Sequence, residues 1–292
     1  MWDVNKPLKL AALVFVTSLW GKSVSGQQIS TIALTSGGEQ REYLLYVPEQ
    51  YDGSPLPLVF SFHGSGGVPR DQINTSEFDT LADQHSFFVA YPAGAFTNSV
   101  SERSWNANVE EGVDDVQFTR DMITDIAARV NVDRSRIYTS GFSGGARMSS
   151  RLACELSDVL AAAAPVAGLQ YPIGCIPERA IPLISFHAED DSINHYDLTE
   201  GGRPYWRMGV ETALDEWRQV NDCSLKNAAS EISDVVTSYT WSDCSDDAEI
   251  VFYHADTGGH TWPGSSYPGS NMDISASELI WDFFSRHTLD KN

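Results

Sequence analysis

A glycine-rich turn between a strand-like run and a helical pattern constrains this chain more than any other feature. The turn is Gly141-Phe142-Ser143-Gly144-Gly145, and it lies between the apolar run Arg136–Ser140 and a helical stretch that ends near Leu156. A turn this tight strains its central residue, and the small neighbours relieve the crowding. It presents the Ser143 hydroxyl at a strand end and a helix N-terminus, which predicts a nucleophile. Outside this context, the same string is usually a plain turn.

The rest of the chain alternates apolar runs with helical patterns. We predict strands at Tyr43–Val47, Leu58–Phe62, Phe87–Tyr91, Arg136–Gly141, Ala161–Val166, Leu183–His187 and Glu249–His254. We predict helices at Asp115–Val130, Gly144–Leu156, Gly209–Val220 and Ser277–Arg286. This alternation predicts an α/β fold with a mainly parallel sheet covered by helices on both faces. Ligands of such sheets bind beyond the carboxyl ends of the strands, so functional residues should follow strands directly.

The first 26 residues have the pattern of a secretory signal peptide. Lys6 and Lys9 precede the apolar run Leu10–Trp20, and small residues follow up to Gly26. The alternative is a short membrane anchor, but the apolar run is too short to span a bilayer comfortably. We therefore predict a secreted protein (periplasmic if the host is a bacterium) with no membrane attachment after cleavage. No repeat or linker divides residues 27–292, which predicts a single domain.

Export changes the interpretation of the four cysteines. An even number in an oxidising compartment predicts two disulfides, and three pairings are then open. We favour the sequential pairing, Cys154–Cys175 with Cys223–Cys244. A zinc site is the alternative, but the chain has no CxxC pair to support it.

The charge of the chain excludes some partners. With 19 basic and 40 acidic residues, the net charge is −21 at pH 7. Such a chain offers no electrostatic footprint for nucleic acid or for an anionic lipid surface.

A serine nucleophile needs a base and an acid, which follow it in the chain in this kind of fold. That order removes His63 and His85 from the seven histidines. His260 lies in a glycine-rich loop after the last predicted strand and is the preferred base, while His254 at the end of that strand is the main rival. The acid should follow Leu183–His187, where Glu189, Asp190 and Asp191 are consecutive; chemistry alone leaves the choice open.

An oxyanion hole requires two backbone N–H groups. Gly144 follows the nucleophile and supplies one of them. The second should come from the loop His63-Gly64-Ser65-Gly66-Gly67 after an early strand, where we expect the Ser65 amide to serve.

Four segments together resemble a known group of enzymes. They are His63–Gly67, Gly141–Gly145, His187–Asp191 and Gly258–Gly264, the last reading GGHTWPG. They are similar to the secreted α/β-hydrolases grouped as polyhydroxybutyrate depolymerase-like and carbohydrate esterase family 1 proteins, over about residues 28–288. The resemblance implies Asp191 as the acid, because it ends the H-G-x-x-D pattern of that family. The two preferred cysteine pairs also look like the family's usual bridges.

The chain departs from that family at two positions. Ser65 stands where many relatives carry a cysteine, and Ala188 replaces a common glycine of the acid loop. The first departure removes a disulfide at that point.

The resemblance implies a secreted serine carboxylester hydrolase that works through an acyl-enzyme, without metal or cofactor. Its expected substrates are feruloyl or acetyl esters of polysaccharide, with polyhydroxybutyrate or hydroxyalkanoate oligomers as the alternative. Trp105 and Trp262 are predicted to contact the substrate, although both could equally be core aromatics. A peptidase on the same fold and a non-catalytic binding protein are rival interpretations; the binding protein would be expected to have a broken triad.

Two further motifs have weaker implications. Acidic clusters at Glu110–Glu111, Asp114–Asp115 and Asp243–Glu249 have the ligand type for calcium, but such clusters are more often solvated faces or helix caps. Asn74-Thr75-Ser76 is a glycosylation sequon that matters only in a eukaryotic host.

Overall fold

A computed structural model describes residues 28–96, 102–108, 112–198 and 203–289 of this chain. Its strands are β1 (Ile29–Ser36), β2 (Glu39–Tyr46), β3 (Leu56–Phe62), β4 (Phe88–Pro92), β5 (Ala95–Phe96), β6 (Arg103–Ser104), β7 (Val132–Phe142), β8 (Ala162–Val166), β9 (Leu183–Ala188), β10 (Leu225–Lys226), β11 (Ser230–Glu231), β12 (Val236–Ser242) and β13 (Ile250–Ala255). Its helices are α1 (Pro69–Ser76), α2 (Phe78–His85), α3 (Asp115–Arg129), α4 (Gly144–Glu155), α5 (Val210–Val220) and α6 (Ala276–Ser285), with a 3-10 turn at Ser245–Asp247.

Eleven of these strands form one mixed sheet. Its order is β1-β2-β4-β3-β7-β8-β9-β13-β12-β10, and β11 pairs with β12. The six central strands, from β4 to β13, are parallel to one another, whereas the strands at both edges are antiparallel. Strands β5 and β6 form a separate small ribbon.

Helices cover both faces of the sheet because the central strands are apolar on both sides. On one face, α3, α4 and α5 pack through residues such as Phe118, Leu152 and Trp217. On the other face, α1, α2 and α6 pack through Phe78, Phe284 and their neighbours. This arrangement confirms the predicted α/β-hydrolase class.

The register of the parallel strands brings their carboxyl ends to one edge of the sheet. Phe62 of β3 lies opposite Gly141 of β7, and Phe142 lies opposite Val166 of β8. His187 of β9 lies opposite His254 of β13 in the same way. The four segments singled out in the sequence therefore begin at the same edge.

All seven predicted strands and all four predicted helices are present, with ends shifted by a few residues. Asp114 is the N-cap of α3, and its side chain accepts the Gln117 N–H at 2.9 Å. Strands β1 and β12, the two-residue strands β5, β6, β10 and β11, and the eight-residue helices α1 and α2 were not predicted. Edge strands bury few side chains and short helices show little periodicity, so their sequence signal is weak.

The two predicted disulfides, Cys154–Cys175 and Cys223–Cys244, are both present. Within the part of the chain that the structure describes, no helix has the length and apolar character needed to cross a membrane. The predicted signal peptide, residues 1–26, lies outside the described residues, and the single domain at 27–292 stays a prediction.

Candidate active site

Ser143 occupies a sharp turn between β7 and α4. Its φ is 54° and its ψ is −113°, a conformation that an L-residue adopts only when its surroundings hold it there. Its N–H donates to the Val166 carbonyl at 3.0 Å. A Cβ on Gly145 would lie 2.1 Å from the Phe62 carbonyl oxygen, so only glycine lets the new helix pass this close to β3. The local sequence thus fixes the hydroxyl above the end of the sheet.

His260 reaches Ser143 from the loop after β13. Its Nε2 lies 2.8 Å from Ser143 Oγ, and its Nδ1 lies 2.7 Å from Asp191 Oδ2. Because the carboxylate can only accept, Nδ1 carries a proton, and the neutral ring offers Nε2 to the serine hydroxyl. This arrangement can take a proton from Ser143.

Asp191 is the one member of the acidic triplet that contacts His260. It is almost fully buried, and its Oδ1 accepts the N–H groups of Ile193 at 2.8 Å and Asn194 at 2.9 Å. Burial acts to raise the pKa of Asp191, but the hydrogen bond from His260 and the other favourable contacts outweigh it and hold the pKa below its usual range. The carboxylate therefore stays ionised beside the imidazole.

The other two carboxylates of the triplet are exposed and have different partners. Asp190 accepts the Gly259 N–H at 2.7 Å. This hydrogen bond connects the loop after β9, which carries Asp191, to the loop after β13, which carries His260. Glu189 lies 3.5 Å from His254, the histidine that rivalled His260 in the sequence.

A second imidazole supports the acid loop. His187 is buried, and its Nε2 lies 2.8 Å from the Asn194 carbonyl and 3.4 Å from Asp191 Oδ2. Burial lowers the pKa of His187, so the ring is neutral and donates to the carbonyl. From the sequence, this residue was placed at a strand end without a role.

The chain at Ser65 packs directly against Gly144. A Cβ on Gly144 would be 2.9 Å from the Ser65 nitrogen, so the two backbones touch. Gly144 is the first residue of α4, and its N–H has no acceptor within the helix. The structure therefore brings the two segments predicted to supply the oxyanion hole into contact beside the residue after Ser143.

His63 and Trp105 hold the loop that carries Ser65. His63 Nε2 accepts the Gly94 N–H at 3.0 Å, and its Nδ1 lies 2.7 Å from the Gly64 carbonyl. Burial lowers the pKa of His63 to about 4, so the ring is neutral and its Nδ1–H donates. The Trp105 indole donates to the His63 carbonyl at 2.8 Å.

Trp105 and Trp262 were predicted to contact the substrate, but both are buried and neither presents an open ring face. Trp262 does line the cleft beside Ser65 and His260, so its contact with a substrate stays a prediction. Trp105 is 8% exposed and packs edge-on against Phe62. Trp262 is 1% exposed, and its Nε1 donates to Ser277 Oγ at 2.9 Å. Both rings belong to the hydrophobic core, one on each face of the sheet.

The exposed aromatic residue beside the site is Tyr267, which was not predicted from the sequence. It is 66% exposed and borders a cleft of about 240 Å³ together with Ser65, Phe142 and His260. It also borders a neighbouring open groove of about 580 Å³ that shares His260 and Thr261 with the cleft. Its position in a Ser-, Pro- and Gly-rich loop was the available signal.

Among the described residues, one cluster has metal-ligand chemistry: Glu189, His254 and Asp256. The two ring nitrogens of His254 face different carboxylates, at 3.5 Å and 3.6 Å. One imidazole thus contacts two separate carboxylates through different nitrogens, which is not the geometry of ligands converging on one metal.

Of the acidic clusters that suggested calcium, Glu110–Glu111 lies outside the described residues. Asp115 is buried against Arg41 at 2.7 Å, and Glu249 pairs with Arg286 at 2.7 Å. Those two carboxylates already have protein partners.

Comparison with known proteins extends these observations. A sequence profile of the family described as Esterase PHB depolymerase matches residues 41–210, more than half of the chain. The chain is 27% identical over 253 residues to the bifunctional acetylxylan esterase/xylanase XynS20E of Neocallimastix patriciarum, covering 87% of this chain and 34% of that protein. It is 32% identical over 195 residues to feruloyl esterase B of Piromyces equi, covering 63% of this chain and 36% of that protein. The chain thus spans about a third of the length of these two relatives.

Among solved structures, the acetyl xylan esterase from Aspergillus awamori superposes with a TM-score of 0.65 at 16% identity. The match covers 88% of this chain and 99% of that one. At this identity the likeness shows a shared fold.

Proposed function

The chain belongs to the Esterase PHB depolymerase family, and from that premise we propose that it is a secreted serine carboxylester hydrolase. The observation that carries the proposal is the chain of two short hydrogen bonds from Ser143 through His260 to Asp191. The close packing of the Ser65 loop against Gly144, the residue after Ser143, adds to it. A complete set of this kind argues against a non-catalytic binding protein.

The reaction begins when Ser143 Oγ attacks the ester carbonyl carbon and His260 Nε2 accepts its proton. Asp191 holds the Nδ1–H of His260 and stabilises the charged ring that forms. The N–H groups of Ser65 and Gly144 bind the oxygen of the tetrahedral intermediate, where charge develops. His260 then gives its proton to the departing alcohol, and the acyl group remains on Ser143.

Water completes the cycle by the same steps. His260 removes a proton from a water molecule, which attacks the acyl carbon and forms a second tetrahedral intermediate. Collapse of that intermediate breaks the bond to Ser143 Oγ, which recovers its proton from His260 and releases the carboxylic acid.

For the substrate we propose feruloyl or acetyl esters of polysaccharide. The names of the two curated relatives support this choice, and so does an exposed tyrosine at the edge of an open groove, where a sugar or an aromatic acyl group could stack. Hydroxyalkanoate oligomers are the second candidate, favoured by the family to which the chain belongs. The two disulfides support secretion, since such bonds persist in oxidising compartments.

The test uses purified protein against 4-nitrophenyl acetate, methyl ferulate, acetylated xylan and 3-hydroxybutyrate oligomers. We expect Ser143→Ala to lower kcat by roughly 10⁶-fold, as for loss of the nucleophile in comparable triads. Ser149→Ala is the matched control: Ser149 lies on the same helix, fully buried, and its hydroxyl has no partner within the described part of the chain. Turnover of S143A within tenfold of the parent enzyme would overturn the proposal.

A further inference from the structure

Arg147 is a buried cation one helical turn after the nucleophile. It lies on α4, four residues after Ser143, and is 7% exposed. Burial lowers the pKa of its guanidinium to about 10, so the group remains charged at neutral pH. A charge in such a position normally has a carboxylate partner, because an unpaired buried charge is costly.

The three buried arginines of the described residues differ in this respect. Arg41 pairs with Asp115 at 2.7 Å, and Arg151 pairs with Glu155 at 2.6 Å. No acidic side chain of the described residues pairs with Arg147. Its guanidinium is thus the exception among groups of equal burial.

The described side chains that contact Arg147 are neutral. It donates to Ser65 Oγ at 3.3 Å and to Asn194 Oδ1 at 3.4 Å, both long for such bonds. Its guanidinium also lies 4.5 Å from the centre of the Tyr205 ring. A guanidinium has five N–H donors, so these contacts leave most of its capacity unused.

These groups lie beside the reacting centre but away from the cleft that Tyr267 borders. Ser65 links the two regions, since it lines the cleft and packs against Gly144, while its hydroxyl accepts a hydrogen bond from Arg147. Arg147, Asn194 and Tyr205 do not line that cleft. A substrate whose carbonyl oxygen rests on the Ser65 amide would therefore bring its neighbouring atoms towards the guanidinium.

We propose that Arg147, with Ser65, Asn194 and Tyr205, binds a carboxylate carried by the ester substrate close to the scissile bond. This inference rests on the proposed function and narrows its substrate class. The carboxylate could sit on the alcohol side, as in a uronic acid sugar beside the ester, or on the acyl side, as in a half-ester of a dicarboxylic acid. A planar guanidinium fork matches either source.

The net charge of the chain is −21, so a preference for substrates that carry a carboxylate would point to a specific binding site. An acidic protein repels anionic substrates at long range, so any preference for a carboxylate must come from a local cation. A hydrogen bond to a charged group contributes about 1.5–3 kcal/mol, which corresponds to roughly 10–100-fold in kcat/KM.

The experiment compares matched ester pairs that differ in one charge. On the acyl side, the mono-4-nitrophenyl ester of succinic acid is compared with that of succinamic acid. On the alcohol side, 4-acetoxybenzoate is compared with 4-acetoxybenzamide. For one of these pairs we expect the wild-type enzyme to prefer the carboxylate, and that pair identifies the side of the substrate that faces Arg147.

The variants are Arg147→Gln and Arg147→Lys. The control is Arg120→Gln, which removes the same charge from α3, where Arg120 forms a partly exposed ion pair with Asp158. We expect R147Q to lower kcat/KM for the preferred carboxylate ester about 10–100-fold and for its amide partner less than threefold. R147K should recover part of the preference, and R120Q should leave it unchanged.

Two results would overturn the inference. One is a wild-type enzyme that prefers the amide in both pairs, which is decisive even if R147Q does not fold. The other is an equal loss on carboxylate and amide in R147Q, which would assign Arg147 to the support of the Ser65 loop. Hydrolysis of the amide partners that depends on Ser143 would leave the proposed function intact in either case.

Discussion

The loop that carries Ser65 and the loops that carry His260 and Asp191 approach Ser143 from opposite sides of β7, and they are held in place differently. The Ser65 loop follows β3 and is fixed by neutral groups, mainly the His63 imidazole and the Trp105 indole. The other two loops follow β13 and β9 and are fixed by carboxylates. Asp191 binds His260, and Asp190 binds the Gly259 amide.

This difference follows from what each side must do. In the proposed mechanism, the oxyanion side only has to hold two N–H groups still, and neutral buried contacts do this without changing the charge near the carbonyl. The base side of that mechanism has to accept a proton and carry a positive charge during the reaction, so an ionised carboxylate is needed there. Substitutions on the two sides should therefore differ in kind, and four predictions test that difference.

The largest effect is expected on the charged side. Asp191→Asn should lower kcat on an acetyl ester by about 10⁴-fold, because the amide no longer fixes the working tautomer of His260. Asp190→Asn is the matched control, with an expected loss below tenfold, since its oxygen can still accept from the Gly259 amide. Steady-state kinetics decide between them, and comparable losses at the two positions would remove the distinction between the carboxylates.

On the neutral side, the expected effect is on stability and depends on pH. His63 is neutral when folded because burial lowers its pKa from 6.5 to about 4. The unfolded chain therefore binds more protons between these pH values, so His63 makes the free energy of unfolding fall as pH drops through this window. The expected loss from pH 7 to pH 5 is about 2 kcal/mol.

Urea unfolding at both pH values measures this loss, and His63→Gln should reduce it. Buried His187 contributes in the same direction, so some pH dependence should remain in H63Q. The carboxylate of Asp191 acts only below its ordinary pKa, outside this window. Exposed His85 gives the control His85→Gln, and an identical slope in wild type and H63Q would refute the prediction.

A smaller effect is expected when the indole that anchors the Ser65 loop is replaced. Trp105→Phe keeps an aromatic ring but leaves the His63 carbonyl without its donor, at a cost of about 1–3 kcal/mol in stability. We expect kcat for neutral esters to fall about tenfold with KM little changed, because a displaced Ser65 amide loses contact mainly with the transition state. A raised KM at constant kcat would instead return Trp105 to the substrate side.

The sequence predicted which groups would meet at Ser143 because parallel strands end at one edge of a sheet. Once the strands were placed, the turn at Ser143 and the loops after β3, β9 and β13 had to converge. The choice among Glu189, Asp190 and Asp191 needed either the family resemblance or the structure, since three adjacent carboxylates look alike in sequence.

Side-chain direction was harder to predict than position. Trp105 and Trp262 follow strands as expected, yet their indoles turn into the core, where each finds a hydrogen-bond acceptor. Whether a loop residue turns inward depends on contacts distant in sequence, such as that of Trp262 with Ser277. The same limit applies to Arg147. That no acidic side chain of the described residues pairs with it could be seen only in the three-dimensional structure.

The smallest effect on activity is expected at Tyr267, which borders the cleft between the Ser65 loop and the His260 loop. Its ring is 66% exposed and borders the cleft and the groove that meet at His260. Stacking on an aromatic acyl group contributes about 0.5–1.5 kcal/mol beyond area burial, so Tyr267→Ala should raise KM for a feruloyl ester roughly 2–10-fold. An acetyl ester has no ring to stack and should show little change, and kcat should be unaffected for both.

Trp262→Phe is the contrasting variant. Loss of the buried indole should lower stability and leave the ratio of the two KM values unchanged. If Y267A moved both KM values equally, the ring would be contacting the alcohol part that the two substrates share.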